Sequence, residues 1–316
     1  MDERVFAACG PGLEELLASE LRALGLEARS VPGGAEASGP DAVALSCLGS
    51  RLADAVAVRL YAGPASGLPA ADAEARGRFG AGAGAGMAAR RRGGEATLSL
   101  DAAGAPLYKR GWRARVGAAP LRETLAAAML AFAGWDGERP FLDPMCGSGT
   151  LAIEAALSAA RRYPGAGRRF AFQGWPGRDP ARDQAVRARL AAAERRPPAS
   201  VLASDANGGA VRLARKNAEA AGVADFVEVE RRDATRIEPL PGPGLLAVNP
   251  PWGSRLEGDP AGAWRTLASL FLRLPGWRLC VLAPDRGLER LLGREPARAI
   301  ETRSGGMAVR LLVYDS

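Results

Sequence analysis

Two short runs in this chain combine residue types that could do chemistry. The first, Asp143-Pro144-Met145-Cys146-Gly147-Ser148-Gly149-Thr150, follows an apolar run and opens a helical one. The second, Asn249-Pro250-Pro251-Trp252, ends another apolar run. In the first, Gly147 and Gly149 let the backbone turn tightly and approach a ligand where a Cβ would collide. The helix beginning near Ser148 then directs unpaired N–H groups and a positive dipole end at that ligand, which suits a carboxylate. Asp143, at the strand end, can accept a hydrogen bond from an ammonium group. Alone, a Gly-x-Gly turn serves packing as often as binding.

Later strand ends strengthen the binding reading. The run 199–205 ends in Asp205, where a doubly wound sheet offers a carboxylate to the two hydroxyls of a ribose. Phe226 to Asp233 repeats the pattern, and an acid there suits an adenine amino group. Met145, Cys146 and Ser148 in the turn, with Ala206 and Ala234 beside the two acids, complete the expected cofactor set. A single strand-end acid more often caps the next helix, as Asp205 could before Asn207 to Ala221. Three in register favour a nucleoside ligand.

The second run supplies the reaction. Two consecutive prolines fix φ and remove two N–H donors, so the surrounding carbonyls are rigid and free to accept. The Asn249 side-chain oxygen and the Pro250 carbonyl can each take one hydrogen of an exocyclic NH2 and so align its lone pair. Trp252 would stack on the base that carries the amine, a contact worth roughly 1–3 kcal/mol. With a sulfonium as methyl donor, orientation does most of the work and no histidine or metal is required. The chain contains no His. The two motifs together predict methyl transfer from S-adenosylmethionine to a planar amine, with Asn249, Pro250, Pro251 and Trp252 as the catalytic clip, Asn249 also touching the cofactor, and no metal.

At these residues the chain resembles the bacterial THUMP-domain guanine-N2 RNA methyltransferases, the group containing the enzyme that modifies guanosine in the large ribosomal subunit. The resemblance runs through Phe6 to Leu17, Ala96 to Asp101, Leu107 to Arg113, Pro120 to Ala126, both motifs, and Arg169 to Trp175. It implies an α/β protein: a class I (Rossmann-like) S-adenosylmethionine-dependent methyltransferase fold behind a small α+β ferredoxin-like N-terminal module. It implies as substrate the N2 amine of guanosine in RNA, ribosomal RNA first and transfer RNA second. Tyr108 stands where the family has His, and Trp112 where it has Tyr. The stretch from Asp72 to Glu95 is much shorter than the family's THUMP domain.

Pattern divides the chain into the N-terminal module over 1–72, a Gly/Ala/Arg linker over 73–94 as the shortened THUMP region, a β-hairpin connector over 95–115, and the methyltransferase domain over 116–316. Within the first, 4–8, 26–31 and 42–45 read as strands, and 12–24 and 50–60 as helices. Residues 120–132 read as a helix in which Thr124 either reaches the cofactor or packs. Residues 278–283 read as a strand, and 298–303 with 307–314 as a hairpin about Gly305-Gly306.

Composition sets outer bounds. With 316 residues, 47% of them hydrophobic, the chain can bury a large core and a smaller one. It has no apolar run of about 18 residues and no signal-peptide start, which argues against a membrane partner. Cys9, Cys47, Cys146 and Cys280 are scattered, with neither metal-ligand spacing nor a disulfide framework, which suits the cytoplasm. The formal charge of +7 is uneven: residues 1–72 hold 5 basic and 10 acidic side chains, and residues 73–119 hold 9 and 3. Within that basic segment Lys109, Arg110, Arg113 and Arg115, interleaved with Tyr108 and Trp112, form the expected RNA-binding stripe. Arg90 to Arg92 fit a solvated hairpin equally well. Similar clips serve adenine-N6 or cytosine-N4 methylation of DNA and glutamine methylation of protein, and a non-catalytic RNA-binding or assembly factor could keep the fold.

Overall fold

Glu3–Ala8 alternates buried and half-exposed side chains and forms strand β1. The computed structural model describes residues 3–79, 86–113, 121–238, 240, 242–251 and 260–316. Helix α1 (Glu14–Ala23) buries Leu17, Ala18 and Leu21, the i, i+1, i+4 stripe that a sheet-covering helix requires. Then come β2 (Glu27–Val31), β3 (Gly34–Gly39), α2 (Ala42–Gly49) and β4 (Ala55–Pro64). This is a βαββαβ unit whose antiparallel strands lie in the order β2-β3-β1-β4.

Two expectations in this module are reversed. Ala42–Leu45 belongs to a helix, because Ala42 to Leu48 are buried all round and such a segment shows no amphipathic period to separate it from a strand. Ser50–Leu60 is not a helix. After a bend, Val56 and Val58 enter β4, where β-branched side chains pack well on a pleated surface.

The described residues of 73–94 are not a linker. Helix α3 (Leu68–Phe79), β5 (Met87–Arg92) and β6 (Glu95–Asp101) extend the same sheet to the order β2-β3-β1-β4-β6-β5. The two-residue turn Gly93-Gly94 joins β5 and β6, so the hairpin spans 87–101 and not 95–115. Beneath it Leu68, Ala75, Ala96 and Leu98 form a small core.

The chain divides into two compact units. The first comprises residues 1–109 together with 163–192, and the second 110–162 together with 193–316. The boundary therefore falls between Lys109 and Arg110. In the second unit α4 (Glu123–Phe132) precedes β7 (Phe141–Asp143) and α5 (Thr150–Ala159). The insertion then returns to the first unit with α6 (Pro180–Ala191), which packs on α2. Arg178 fixes this insertion: it reaches Glu3 at 2.5 Å and Asp183 at 2.5 Å, and lies over the Phe172 ring.

The second unit continues with β8 (Val201–Asp205), α7 (Gly208–Ala220), β9 (Val227–Arg231), β10 (Leu245–Val248), α8 (Pro260–Leu272), β11 (Arg278–Ala283), α9 (Gly287–Leu292), β12 (Arg298–Ser304) and β13 (Met307–Asp315). Its sheet runs β12-β13-β11-β10-β7-β8-β9, parallel from β9 to β11 with β13 antiparallel. The β12–β13 hairpin and β11 stand where the sequence places them. Strand order reverses between β7 and β10, and a crevice opens there outside the strand C-termini.

Arg178→Ala should destabilise the first unit by about 3 kcal/mol, because it leaves the buried Asp183 carboxylate without its guanidinium. Arg178→Lys should recover only part of this loss, since one ammonium cannot replace the fork that meets two acids. Denaturant unfolding followed by fluorescence measures both; equal stability of wild type and the alanine variant would contradict the account.

Candidate active site

The crevice is a cleft of about 620 Å³, within the usual size of a small-molecule site. Four strand ends deliver its walls: Asp143 from β7, Asp205 from β8, Asp233 after β9 and Asn249 after β10. Met145, Cys146, Gly147, Ser148, Ala206, Ala234, Pro250 and Pro251 line it as well. Trp252 and Arg115 lie outside the described residues.

The glycine turn is held from three sides. Gly147 adopts φ +53° and would carry a Cβ into open space, so a ligand can lie against this backbone. Gly149, at φ +83°, instead starts α5, and a Cβ there would meet Ala214 at 3.0 Å; its role is packing against α7, and it does not line the cleft. The Cys146 N–H donates to the Ser204 carbonyl at 2.9 Å, and the fully buried Asn217 amide donates to the Ser148 carbonyl at 2.9 Å.

Each acid is differently employed. Asp205 accepts from the Gly147 N–H at 3.0 Å and the Asn207 N–H at 2.8 Å, tying the turn to the end of β8. It does not cap α7. Asn207 does so, accepting from Gly209 and Ala210. A carboxylate has about four acceptor positions, so two bonds leave Asp205 capacity for a ligand hydroxyl. The Thr235 amide and hydroxyl both donate to Asp233 and hold its carboxyl below the usual range. Asp143 is only 2% exposed; burial, aided by the Asp205 charge, pushes its pKa up to about 8 against one hydrogen bond from the Met145 N–H. Two acids at one end of a cleft form a site that an ammonium group would relieve, and the open face of Gly147 admits the remainder of such a ligand. Both features fit S-adenosylmethionine.

The expected RNA stripe is corrected at Arg110 and Arg113. Arg110 is buried, its Nε 3.4 Å from the buried Glu154 of α5. Arg113 donates to Glu123 at 3.1 Å, the Leu121 carbonyl at 2.8 Å and Thr150 at 3.0 Å. Both therefore turn into the second unit, because a partly desolvated guanidinium is stable only beside carboxylates and carbonyls. Leu121 and Thr150 line the cleft, so Arg113 supports its wall. Lys109 is exposed, as are Arg90 to Arg92 on β5.

Sequence reading missed Leu121, Thr150, Leu151, Asn207, Ala210, Leu213 and Thr266, which also line the cleft. Most sit in the first turns after strand ends already singled out, and that position was the available signal. Thr124 is buried in α4 and does not line it.

A carboxyl raised in the folded state stabilises the fold most below the unfolded pKa and loses that stabilisation as pH climbs through about 8. Asp143→Asn should thus raise the melting temperature of the ligand-free protein more at pH 8.5 than at pH 5. A pH-independent difference in calorimetric scans would exclude an unusual Asp143.

Residues 110–311 match the family model described as RMKL-like, methyltransferase domain, and residues 4–57 match the RlmL ferredoxin-like domain. The chain is 43% identical over 202 residues to ribosomal RNA large subunit methyltransferase K/L of Alcanivorax borkumensis, a match covering 60% of this chain and 29% of that relative. Among solved structures, SMU.472 complexed with SAH superposes with a TM-score of 0.87 at 24% identity over 100% of this chain and 98% of that one. A "possible methylase" from Clostridium difficile 630 gives 0.89 at 23% with the same coverage. These two share the fold. Among the described residues no helix is long and apolar enough to cross a membrane. With its class I sheet, its strand-end cleft and a family match over nearly two thirds of its length, the chain belongs to the RMKL-like methyltransferase domain family.

Proposed function

We propose that this chain transfers a methyl group from S-adenosylmethionine to the exocyclic N2 amine of a guanosine in RNA. The carrying observation is the convergence of Asp143, Asp205, Asp233 and Asn249-Pro250-Pro251 on one cleft. When bound, the cofactor supplies an electrophilic methyl on a sulfonium. Asp143 takes its ammonium group, Asp205 its ribose hydroxyls and Asp233 its adenine amine, while the Gly147 turn leaves room for the chain between. Asn249 and the Pro250 carbonyl accept the two amine hydrogens of the base, so the nitrogen lone pair faces the methyl group. The proton released as the bond forms leaves to solvent, and no buried base is required. SMU.472, which shares the fold, was crystallised with SAH. Ribosomal RNA is favoured by the name of the K/L relative. Such a substrate and four free thiols suit a reducing, cytoplasmic setting.

Asp205→Ala should weaken cofactor binding by roughly 1.5–3 kcal/mol, about tenfold or more, since it removes the hydroxyl acceptor and releases the Gly147 amide. Titration calorimetry measures this, and unchanged affinity would confine Asp205 to shaping the turn.

Asn249→Ala should abolish methyl transfer while cofactor affinity stays within a few fold, because its oxygen orients the acceptor. Mass spectrometry of nucleosides from a deletion strain identifies the product. Loss of N2-methylguanosine from ribosomal RNA is expected; loss of a methylated adenine or cytosine instead would overturn the guanosine assignment.

A further inference from the structure

The inserted segment 163–192 carries six arginines and two aspartates. On it lies an open groove of about 570 Å³ bordered by Arg168, Arg169, Arg187, Gln173, Gln184 and Asp183. Its one carboxylate, Asp183, is already matched by Arg178 at 2.5 Å. Arg168 donates to the carbonyls of Ala105, Pro106 and Leu107, and the Arg187 guanidinium is held by those of Gly165, Ala166 and Arg168. Carbonyls fix the Arg187 guanidinium in place without cancelling its charge. Arg169 is exposed beside them. Gln173 accepts from the Phe170 N–H through its oxygen, which leaves its NH2 as a donor. The groove is thus a rigid, donor-rich surface of positive charge, the character of a phosphate contact and not of an apolar or cationic one.

We infer that this groove binds the sugar-phosphate backbone of the RNA substrate, a contact on the inserted segment separate from the methyl-transfer cleft. The inference rests on the RNA reading above. Fixed guanidinium groups lose little side-chain entropy on meeting phosphate, and a backbone contact carries no base preference, so the groove would contribute affinity and positioning while the cleft chooses the base.

The test leaves the carbonyl-bound arginines untouched. Arg169→Glu and, separately, Gln184→Glu place a negative charge in the groove at exposed positions; Arg303→Glu, exposed on β12, gives the same change in net charge as the first. Binding of a fluorescein-labelled 20-nucleotide polyuridine RNA is followed by anisotropy across a salt series, with S-adenosylhomocysteine affinity and melting temperature as checks of fold. Loss of one phosphate contact to a single strand should lower the log–log salt slope by about 0.7 and the affinity at 50 mM salt by about tenfold. Arg169→Glu should show this, Gln184→Glu a smaller loss in the same direction, and Arg303→Glu little change. Equal losses in Arg169→Glu and Arg303→Glu would reduce the effect to overall charge and overturn the groove. Undiminished binding by both groove variants beside a wild type that binds RNA would overturn this inference alone. A wild type that binds S-adenosylhomocysteine but not RNA would overturn the substrate reading and the groove with it.

Discussion

Asp143 ends the central strand of the parallel sheet almost wholly out of water, and the ionisable group that most affects it is a second acid, Asp205. Burial disfavours the charged form, so without a cationic neighbour this carboxyl is close to neutral at physiological pH. A ligand that brings a positive charge to this point reverses the balance. The surrounding structure exists to keep that position fixed. Asp205 ties the glycine turn to the neighbouring strand, Asn217 holds it from α7, and Gly149 allows α7 to approach. The site is therefore preorganised by groups that a ligand need never touch.

Arginine does most of the polar construction in a chain with only two lysines. Arg110 and Arg113 pin the segment entering the second unit to α4 and α5, Arg178 meets two carboxylates, and Arg168 and Arg187 hold loops through backbone carbonyls. A planar group with five N–H donors suits each of these tasks, and lysine would suit few of them. Net charge is consequently a poor guide to a binding face here. Of the stripe that reads as nucleic-acid-facing in sequence, Arg110 and Arg113 are consumed in structure while Lys109 stays exposed.

The first unit shows how an insertion can be read in the wrong place. Residues 163–192 interrupt the methyltransferase segment in sequence but pack with the N-terminal sheet through α2, Gly165 and Arg178. Nothing local marks this allegiance, because it depends on surfaces contributed by residues more than a hundred positions earlier.

The sequence by itself determined the succession of strands along the catalytic segment, the turn at Gly147, the three strand-end acids and the Asn249 clip. These depend on local chemistry: a tight turn demands glycine, and a strand followed by a helix leaves its terminal residue at the crevice. Tertiary structure alone decided three other matters. Ala42 to Leu48 became a helix because burial on every side erases the periodicity that separates helix from strand. Arg110 and Arg113 turned inward because Glu154, Glu123 and Thr150, distant in sequence, supplied partners that solvent would otherwise have provided. Asp143 became an unusual acid only when the chain closed over it, since desolvation is a property of the packed fold and not of the residue.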